Sequence, residues 1–287
     1  MDSIGREYCE CVMRQSILIT GCSSGIGYTC AHGLKKLGYN VFATCRDEDD
    51  VNRLIAEGLN AFKLDLCDTQ SMNNTLSCLL AQSNGRIDVL FNNAAYGQPG
   101  AVEDLKRNVL REQFETNVFG TQELTNLVIP YMRKQKSGRI IYNSSILGFV
   151  AMSYRGAYNA SKFAIEGLAD TLRLELYGSG IEVVLIEPGP IQSNFRKNAL
   201  SKFLKYIDQE YSAHSVTYAK TLARLKKEGK TPFTLEPVAV LEVLVKAIES
   251  PKPKARYAVT FPTKLFGILK RVIPTIWMDV IARKAGE

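Results

Sequence analysis

The stretch that most constrains the fold is Ser16-Ile17-Leu18-Ile19-Thr20, followed at once by Gly21-Cys22-Ser23-Ser24-Gly25-Ile26-Gly27. Its first five residues are an apolar, β-branched run and predict a buried strand; the glycine segment then turns directly into a helix running to about Leu37. A strand feeding a helix through such a turn leaves the helix N-terminus at the strand's carboxyl end. The free N–H groups and dipole there favour an anion, and glycines at 21, 25 and 27 let the backbone approach it closely. Gly21, Ser23, Ser24, Gly25, Ile26 and Gly27 are therefore expected to cradle a pyrophosphate, although the spacing G-x-x-x-G-x-G differs from the common G-x-G-x-x-G. The same residues also fit the G-x-S-x-G nucleophile elbow, with Ser23 as nucleophile. A serine hydrolase built on it would depend on His214, and its elbow would follow the first strand rather than a central one. That is the remote alternative.

Further short apolar runs at 40–44, 61–64, 88–91, 139–144, 181–186 and 255–260 read as strands, with helical periodicity between them, including a long helix near 112–133 and another at 236–250. Alternation of this kind predicts an α/β fold: a doubly wound parallel sheet of about seven strands with helices on both faces, in a single domain. Residues 1–14 read as an unstructured N-terminal extension, with Met13 as an alternative start, and 15–261 as a dinucleotide-binding domain. Within that domain, 193–234 is polar, helical and lysine-rich, as expected of a mobile substrate lid. Residues 262–287 form an amphipathic helical extension: Leu265, Ile268, Leu269, Val272 and Ile273 recur at helical spacing beside Lys264, Lys270 and Arg271, and Ile276, Trp277, Val280 and Ile281 follow Pro274. This extension is expected either to pack on the body or a second subunit, or to touch an anionic membrane surface.

Composition excludes several chemistries. The seven cysteines all fall in the first 80 residues without a zinc-type pair of Cys-x-x-Cys motifs, and there are only two histidines, so no metal is expected. No secretory signal is evident and no uncharged run is long enough to span a bilayer; a cytoplasmic protein, at most peripheral to a membrane, is expected. The net charge of +7 is uneven: residues 193–287 carry 18 Lys+Arg against 8 Asp+Glu, residues 1–192 carry 18 against 21. No nucleic-acid motif accompanies the basic part.

Chemistry concentrates around Tyr142-Asn143-Ser144-Ser145 and Tyr158-x-x-x-Lys162. Ser145 falls at the carboxyl end of a predicted strand, where open α/β sheets bind ligands, and Tyr158 and Lys162 share a helix face as an i, i+4 pair. An ammonium beside a phenol is expected to lower the tyrosine pKa toward neutrality. Such a tyrosine exchanges a proton with a carbonyl or alcohol oxygen while Ser145 holds that oxygen. After the second strand, Cys45 stands where dinucleotide folds place a ribose-binding acid and Arg46 follows it, which favours a 2′-phosphate and so NADP(H) over NAD(H). Asp65 and Leu66 end the third strand, placed either to touch adenine or to act in a turn. Asn92-Asn93-Ala94-Ala95-Tyr96-Gly97 offers small residues beside a cofactor, and Pro188-Gly189-Pro190-Ile191-Gln192-Ser193 forms a rigid turn placed to lie against a nicotinamide.

Together, Thr20-Gly21-x-x-x-Gly25-x-Gly27, Asn92-Asn93-Ala94, Asn117, Ser145, Tyr158-x-x-x-Lys162 and Pro188-Gly189 resemble the short-chain dehydrogenase/reductase family, over about residues 15–260. Within it the glycine turn and Cys45-Arg46 look like the branch of retinol dehydrogenases, 17β-hydroxysteroid dehydrogenases and bacterial NADP-dependent aldehyde reductases. The resemblance implies a Rossmann-type fold, Tyr158 as acid/base, Ser145 as donor to the carbonyl, Lys162 as tuner of Tyr158 and ribose contact, and Asn117 as holder of a water-linked proton relay. It further implies cofactor contacts by Asn93, Asp65 and Ser193, with Ser24 and Arg46 facing the 2′-phosphate. Ala95 departs from the family's usual glycine. The expected substrate is a small apolar carbonyl or alcohol, retinal-, steroid- or fatty-aldehyde-like, in a pocket lined by Leu147, Phe149, Met152 and Phe195, with Phe203 contributed by the lid. A homodimer is expected. The alternative within the same fold is a catalytically silent NADP-binding sensor or scaffold.

Overall fold

The computed structural model describes residues 15–226, 229 and 232–286; the extension expected over 1–14 lies outside the described residues. Seven strands, β1 (Ser16–Ile19), β2 (Asn40–Cys45), β3 (Asn60–Lys63), β4 (Val89–Asn92), β5 (Gly138–Asn143), β6 (Ile181–Glu187) and β7 (Arg256–Ala258), form one sheet in the order β3-β2-β1-β4-β5-β6-β7. All six pairings are parallel. Helices cover both faces, so successive residues of one strand serve two cores. Ile17 and Ile19 pack toward α1 (Gly25–Lys36) and α9 (Val238–Glu249), whereas Leu18, between them, packs toward α3 (Thr69–Gln82), α5 (Thr121–Gln135) and α6 (Gly156–Glu175). Burial on both sides is why these strands read as unbroken apolar runs. This is a Rossmann-type doubly wound sheet in a single domain.

The order reverses between β1 and β4, and that switch point opens a crevice at the strands' carboxyl ends. The glycine turn after β1 and the Asn93 turn after β4 face each other across it, tied where Thr20 Oγ1 accepts from both Asn93 N and Ala94 N (3.0 Å each).

Some boundaries differ from the expected ones. The helix expected over 112–133 starts earlier, as α4 (Arg107–Phe114), and passes through a π-helical turn (Glu115–Gly120) into α5. Residues 193–234 hold α7 (Phe195–Tyr206) and α8 (Ser215–Lys226). This segment is anchored: Tyr206 donates to Glu112 (2.7 Å), Ser212 to Asp104 (2.6 Å), and Tyr218 accepts from Ala101 N (3.0 Å). At the C-terminus α10 (Phe261–Val272) and α11 (Thr275–Gly286) meet at Pro274, which cannot continue a helix. Among the described residues no helix is long and apolar enough to cross a membrane.

Candidate active site

Ser145 lies two residues beyond β5 and caps a short 3-10 turn, its Oγ accepting from Leu147 N at 3.1 Å. Ile146 N donates to the Pro188 carbonyl (2.8 Å), which fixes this turn against the end of β6. Tyr158 and Lys162 lie in the first two turns of α6, and Lys162 Nζ sits 5.8 Å from the Tyr158 ring centre. The lysine is buried and donates to Asn143 O at 2.7 Å.

Electrostatics correct one expectation. Burial pushes the Tyr158 phenol up to about 12, opposed by its hydrogen bond with Ser145. Lys162 is itself lowered to about 8, again by burial, with Glu166 pulling the other way. Desolvation of both groups outweighs the expected help of ammonium to phenolate. Tyr158 is thus a neutral donor at neutral pH.

Behind these residues runs a polar lattice. Asn93 Nδ2 donates to Thr20 O (2.8 Å) and Gly21 O (3.1 Å), while its Oδ1 accepts from Asn143 Nδ2 (2.9 Å). The turns after β1, β4 and β5 and the α6 lysine are therefore one hydrogen-bonded unit. The family fingerprint omits Asn143, although it lies between the expected strand core and Ser145; only the β4–β5 register, which sets Asn92 against Tyr142, shows what it meets.

The turn after β1 packs too closely on its neighbours for side chains at its glycines. Gly21 (φ 72°) and Gly25 (φ 58°) adopt left-handed backbone, and a Cβ on Gly27 would sit 2.2 Å from Gly21 O and 2.6 Å from Asn93 Nδ2. Ser24 caps α1 without a side-chain hydrogen bond to the first helical turn. A Cβ on Gly25 would meet the Ser193 side chain at 2.9 Å, so the turn after β6 closes over the same place. Pro188 and Gly189 precede it, with Gly189 against Thr260, and Ile191 pairs in a bridge with Leu235. Ser23 and Ile26 lie within this turn, and Ala94 Cα stands where a Gly21 Cβ would reach 2.8 Å. Ser23, Ser24, Gly25, Arg46, Asn93 and Ser193 are the residues able to hold a phosphorylated dinucleotide.

Arg46 is exposed just beyond β2, its Nε 3.7 Å from Asp47. A second arginine, Arg53 on α2 (Glu48–Ala56), donates to Ser23 O and to Asp50 Oδ1, 2.7 Å each. Sequence reasoning missed it because the contact depends on α2 crossing the turn. Asp65 acts as a turn residue, its Oδ1 accepting from Cys67 N (2.9 Å); Leu66 is buried against Gly120. Asn117 lies inside the π-helical turn, buried, with Nδ2 on Tyr96 O (2.9 Å) and Ser161 Oγ (3.1 Å), and Oδ1 on Tyr96 N (3.1 Å). Its side chain braces the loop after β4 rather than pointing at Tyr158. Irregular π turns of this kind are frequent at functional sites.

On the other side of Tyr158 the wall is apolar. Leu147, Phe149 and Met152 pack with Tyr158, and Phe195 meets the tyrosine ring edge-on, ring centres 5.1 Å apart. Phe203 does not take part: it is fully buried in a separate cluster with Tyr218, Leu105 and Ala157. The helical extension supplies what was not foreseen, with Phe266 buried against Ile146 and Leu147, and Met278 and Ile281 packed on the same cluster. The elbow reading of Ser23 finds no support, because Glu103 and Tyr154 occupy the two ring nitrogens of His214.

The sequence model of the short chain dehydrogenase family matches residues 15–204. The uncharacterized oxidoreductase YbbO of Escherichia coli (strain K12) is 40% identical over 270 residues, 94% of each chain. Retinol dehydrogenase 8 of Bos taurus is 32% identical over 84% of this chain and 80% of its own. Among solved structures, a short-chain dehydrogenase from Streptomyces avermitilis superposes with a TM-score of 0.74 at 29% identity, covering 90% of this chain and 94% of its own. The chain belongs to the short-chain dehydrogenase/reductase family of nicotinamide-dependent oxidoreductases.

Proposed function

We propose that this protein interconverts an apolar aldehyde or ketone and its alcohol, using NADP(H), with Tyr158 as the acid/base. The observation that carries this reading is the position of Tyr158: Ser145 lies close enough to its hydroxyl to lower its pKa, Lys162 lies beneath its ring, and an apolar wall faces it. The nicotinamide, when bound, supplies or takes the hydride. Ser145 then holds the substrate oxygen, and Tyr158 gives that oxygen a proton as the carbonyl is reduced. The phenol, raised further by burial, arrives protonated and can give that proton up as the carbonyl is reduced. Lys162, beside the Tyr158 ring, would meet the nicotinamide ribose, and Asn117, bonded to Tyr96 and to Ser161, would hold a water-linked proton relay.

Arg46 supports the preference for NADP(H), since Cys45 leaves no carboxylate at the ribose position and the exposed guanidinium is free to reach a 2′-phosphate. A retinoid, steroid or fatty aldehyde suits the wall of Leu147, Phe149, Met152 and Phe195, and the similarity to retinol dehydrogenase 8 favours this class. Exposed Phe163, Leu168 and Leu174 on α6 support a homodimer through that helix. NADPH oxidation with a panel of aliphatic, aromatic, retinoid and steroid carbonyls, each repeated with NADH, tests the reading. Turnover of one apolar class with NADPH preferred is expected; NADPH binding without turnover of any carbonyl would overturn it.

A further inference from the structure

Helices α10 and α11 carry two apolar faces, and the wall of the candidate pocket uses only one. Phe266, Met278 and Ile281 point inward onto the cluster around Leu147. The outer face carries Phe261, Leu265, Ile268 and Val272 at i, i+4, i+7 and i+11, continued past Pro274 by Ile276 and Trp277. These side chains are open to solvent: Ile268 is 61% exposed, Val272 69%, Ile276 70% and Trp277 63%. Beyond α8, Phe233 extends the ridge, its ring centre 5.7 Å from that of Phe261. Phe233 has φ 61°, a backbone conformation unfavourable for a phenylalanine, and it too is exposed.

A contiguous ridge of this kind marks a contact surface, and its charges say with what. Residues 261–286 hold Lys264, Lys270, Arg271, Arg283 and Lys284 against a single acid, Asp279; Lys270 turns inward to donate to Phe149 O, which leaves Lys264, Arg271, Arg283 and Lys284 for a surface. Two short helices with large apolar residues on one line and cations along its flanks match the interfacial plane of an anionic bilayer, where acyl chains take the apolar line and phosphates the cations. Neither helix is long enough to cross.

We propose that α10 and α11 dock this chain on an anionic lipid surface by the Phe261–Trp277 ridge. Because the inner face of the same helices packs on the apolar cluster beside Tyr158, docking brings that side of the chain to the place where apolar carbonyl compounds partition. The docking itself does not depend on the proposed reaction.

Trp277 is the chain's one tryptophan and sits on the ridge, so the full-length protein reports its own docking. The test adds vesicles of phosphatidylcholine alone, or of phosphatidylcholine and phosphatidylglycerol in equal parts, and follows Trp277 emission, its quenching by iodide, and co-sedimentation. With the anionic vesicles a blue shift, protection from iodide and co-sedimentation are expected. Ile268→Asp should weaken binding at least about tenfold, since it places a charge in the acyl region, and Lys264→Gln with Lys284→Gln should remove the dependence on phosphatidylglycerol. The thermal melt and NADPH binding of each variant establish that it is folded. Unchanged Trp277 emission with both vesicles would overturn the proposal. So would equal binding to neutral and anionic vesicles, or protection from iodide that grows with protein concentration without lipid, which would assign the ridge to a second copy.

Discussion

The two sides of Tyr158 are held by opposite means. On the cofactor side, Thr20, Asn93, Asn143 and Lys162 fix one another through hydrogen bonds of 2.7–3.1 Å, and glycines hold backbone against backbone so closely that one methyl group would collide. On the substrate side, Leu147, Phe149, Met152, Phe195, Phe266, Met278 and Ile281 meet through non-directional apolar contact. A directional lattice accepts one ligand shape, because each buried donor or acceptor left unpaired costs about 1–3 kcal/mol. An apolar wall tolerates volume-conserving change at about 1.5 kcal/mol or less. The molecule therefore joins a strict site for a fixed cofactor to a permissive one, and substitutions on the two sides should fail differently.

The largest effect on binding is expected from Gly27→Ala on the strict side. The new methyl would meet the Gly21 carbonyl, which is backbone and cannot swing away, so NADPH affinity should fall about ten- to hundredfold, the scale of a 1–3 kcal/mol overpacking cost. Fluorescence titration measures this, and near-normal affinity would break the contrast. At the edge of the same side, Arg46→Ala should weaken NADPH about tenfold, as for loss of a charged hydrogen bond, and leave NADH little changed. Equal loss of both would remove the 2′-phosphate assignment.

On the permissive side, Met278→Ala should raise KM for an apolar carbonyl by a few-fold with little change in kcat, since a partly buried side chain contributes about 1 kcal/mol of apolar contact. NADPH affinity should stay as it was. A fall in kcat with KM unchanged would mean that the wall positions the reacting atoms rather than merely binding substrate.

The smallest effect concerns the buried network behind α6, where Arg256 pairs with Glu166 (3.1 Å), Asp170 (2.6 Å) and Glu187 (3.2 Å). Burial, reinforced by Glu166, raises Glu187 from 4.5 to about 7. The folded chain thus keeps a proton that the unfolded chain loses, so this carboxyl's contribution is full below about pH 4.5 and is lost as pH climbs toward 7. Glu187→Gln should flatten that part of the stability profile in melts across this window. A parallel profile for both proteins would contradict the assignment.

The strict side was largely legible in the sequence because its parts are local. Strand, glycine turn and helix are contiguous, and Tyr158 and Lys162 are one helical turn apart. What was missed there depended on neighbours across the sheet: Asn143 shows its partner only once β4 and β5 are in register, and Arg53 only once α2 lies over the turn. Tyr158 shows the opposite electrostatic shift from the expected one, since a pairwise view of ammonium and phenol omits the desolvation of both. The permissive side was less legible. Hydrophobic spacing in the helical extension merges two faces, with Leu265, Ile268 and Val272 turned outward, and Phe266, which packs on the cluster beside Tyr158, falls outside the predicted stripe. Phe203 was assigned to the pocket by its position in a lid-like stretch and instead fills the core that anchors that stretch.

Both sides meet at the Tyr158 hydroxyl, and one measurement tests that meeting most directly: single-turnover reduction of an apolar aldehyde by the NADPH complex of Tyr158→Phe, beside the unmodified protein. Removing the hydroxyl leaves the lattice and the wall in place, so NADPH affinity and melting temperature should be nearly unchanged while the reduction rate falls at least about a hundredfold, the scale of a lost acid/base group. A reduction rate close to that of the unmodified protein, in a folded variant that binds NADPH, would contradict Tyr158 as the proton donor.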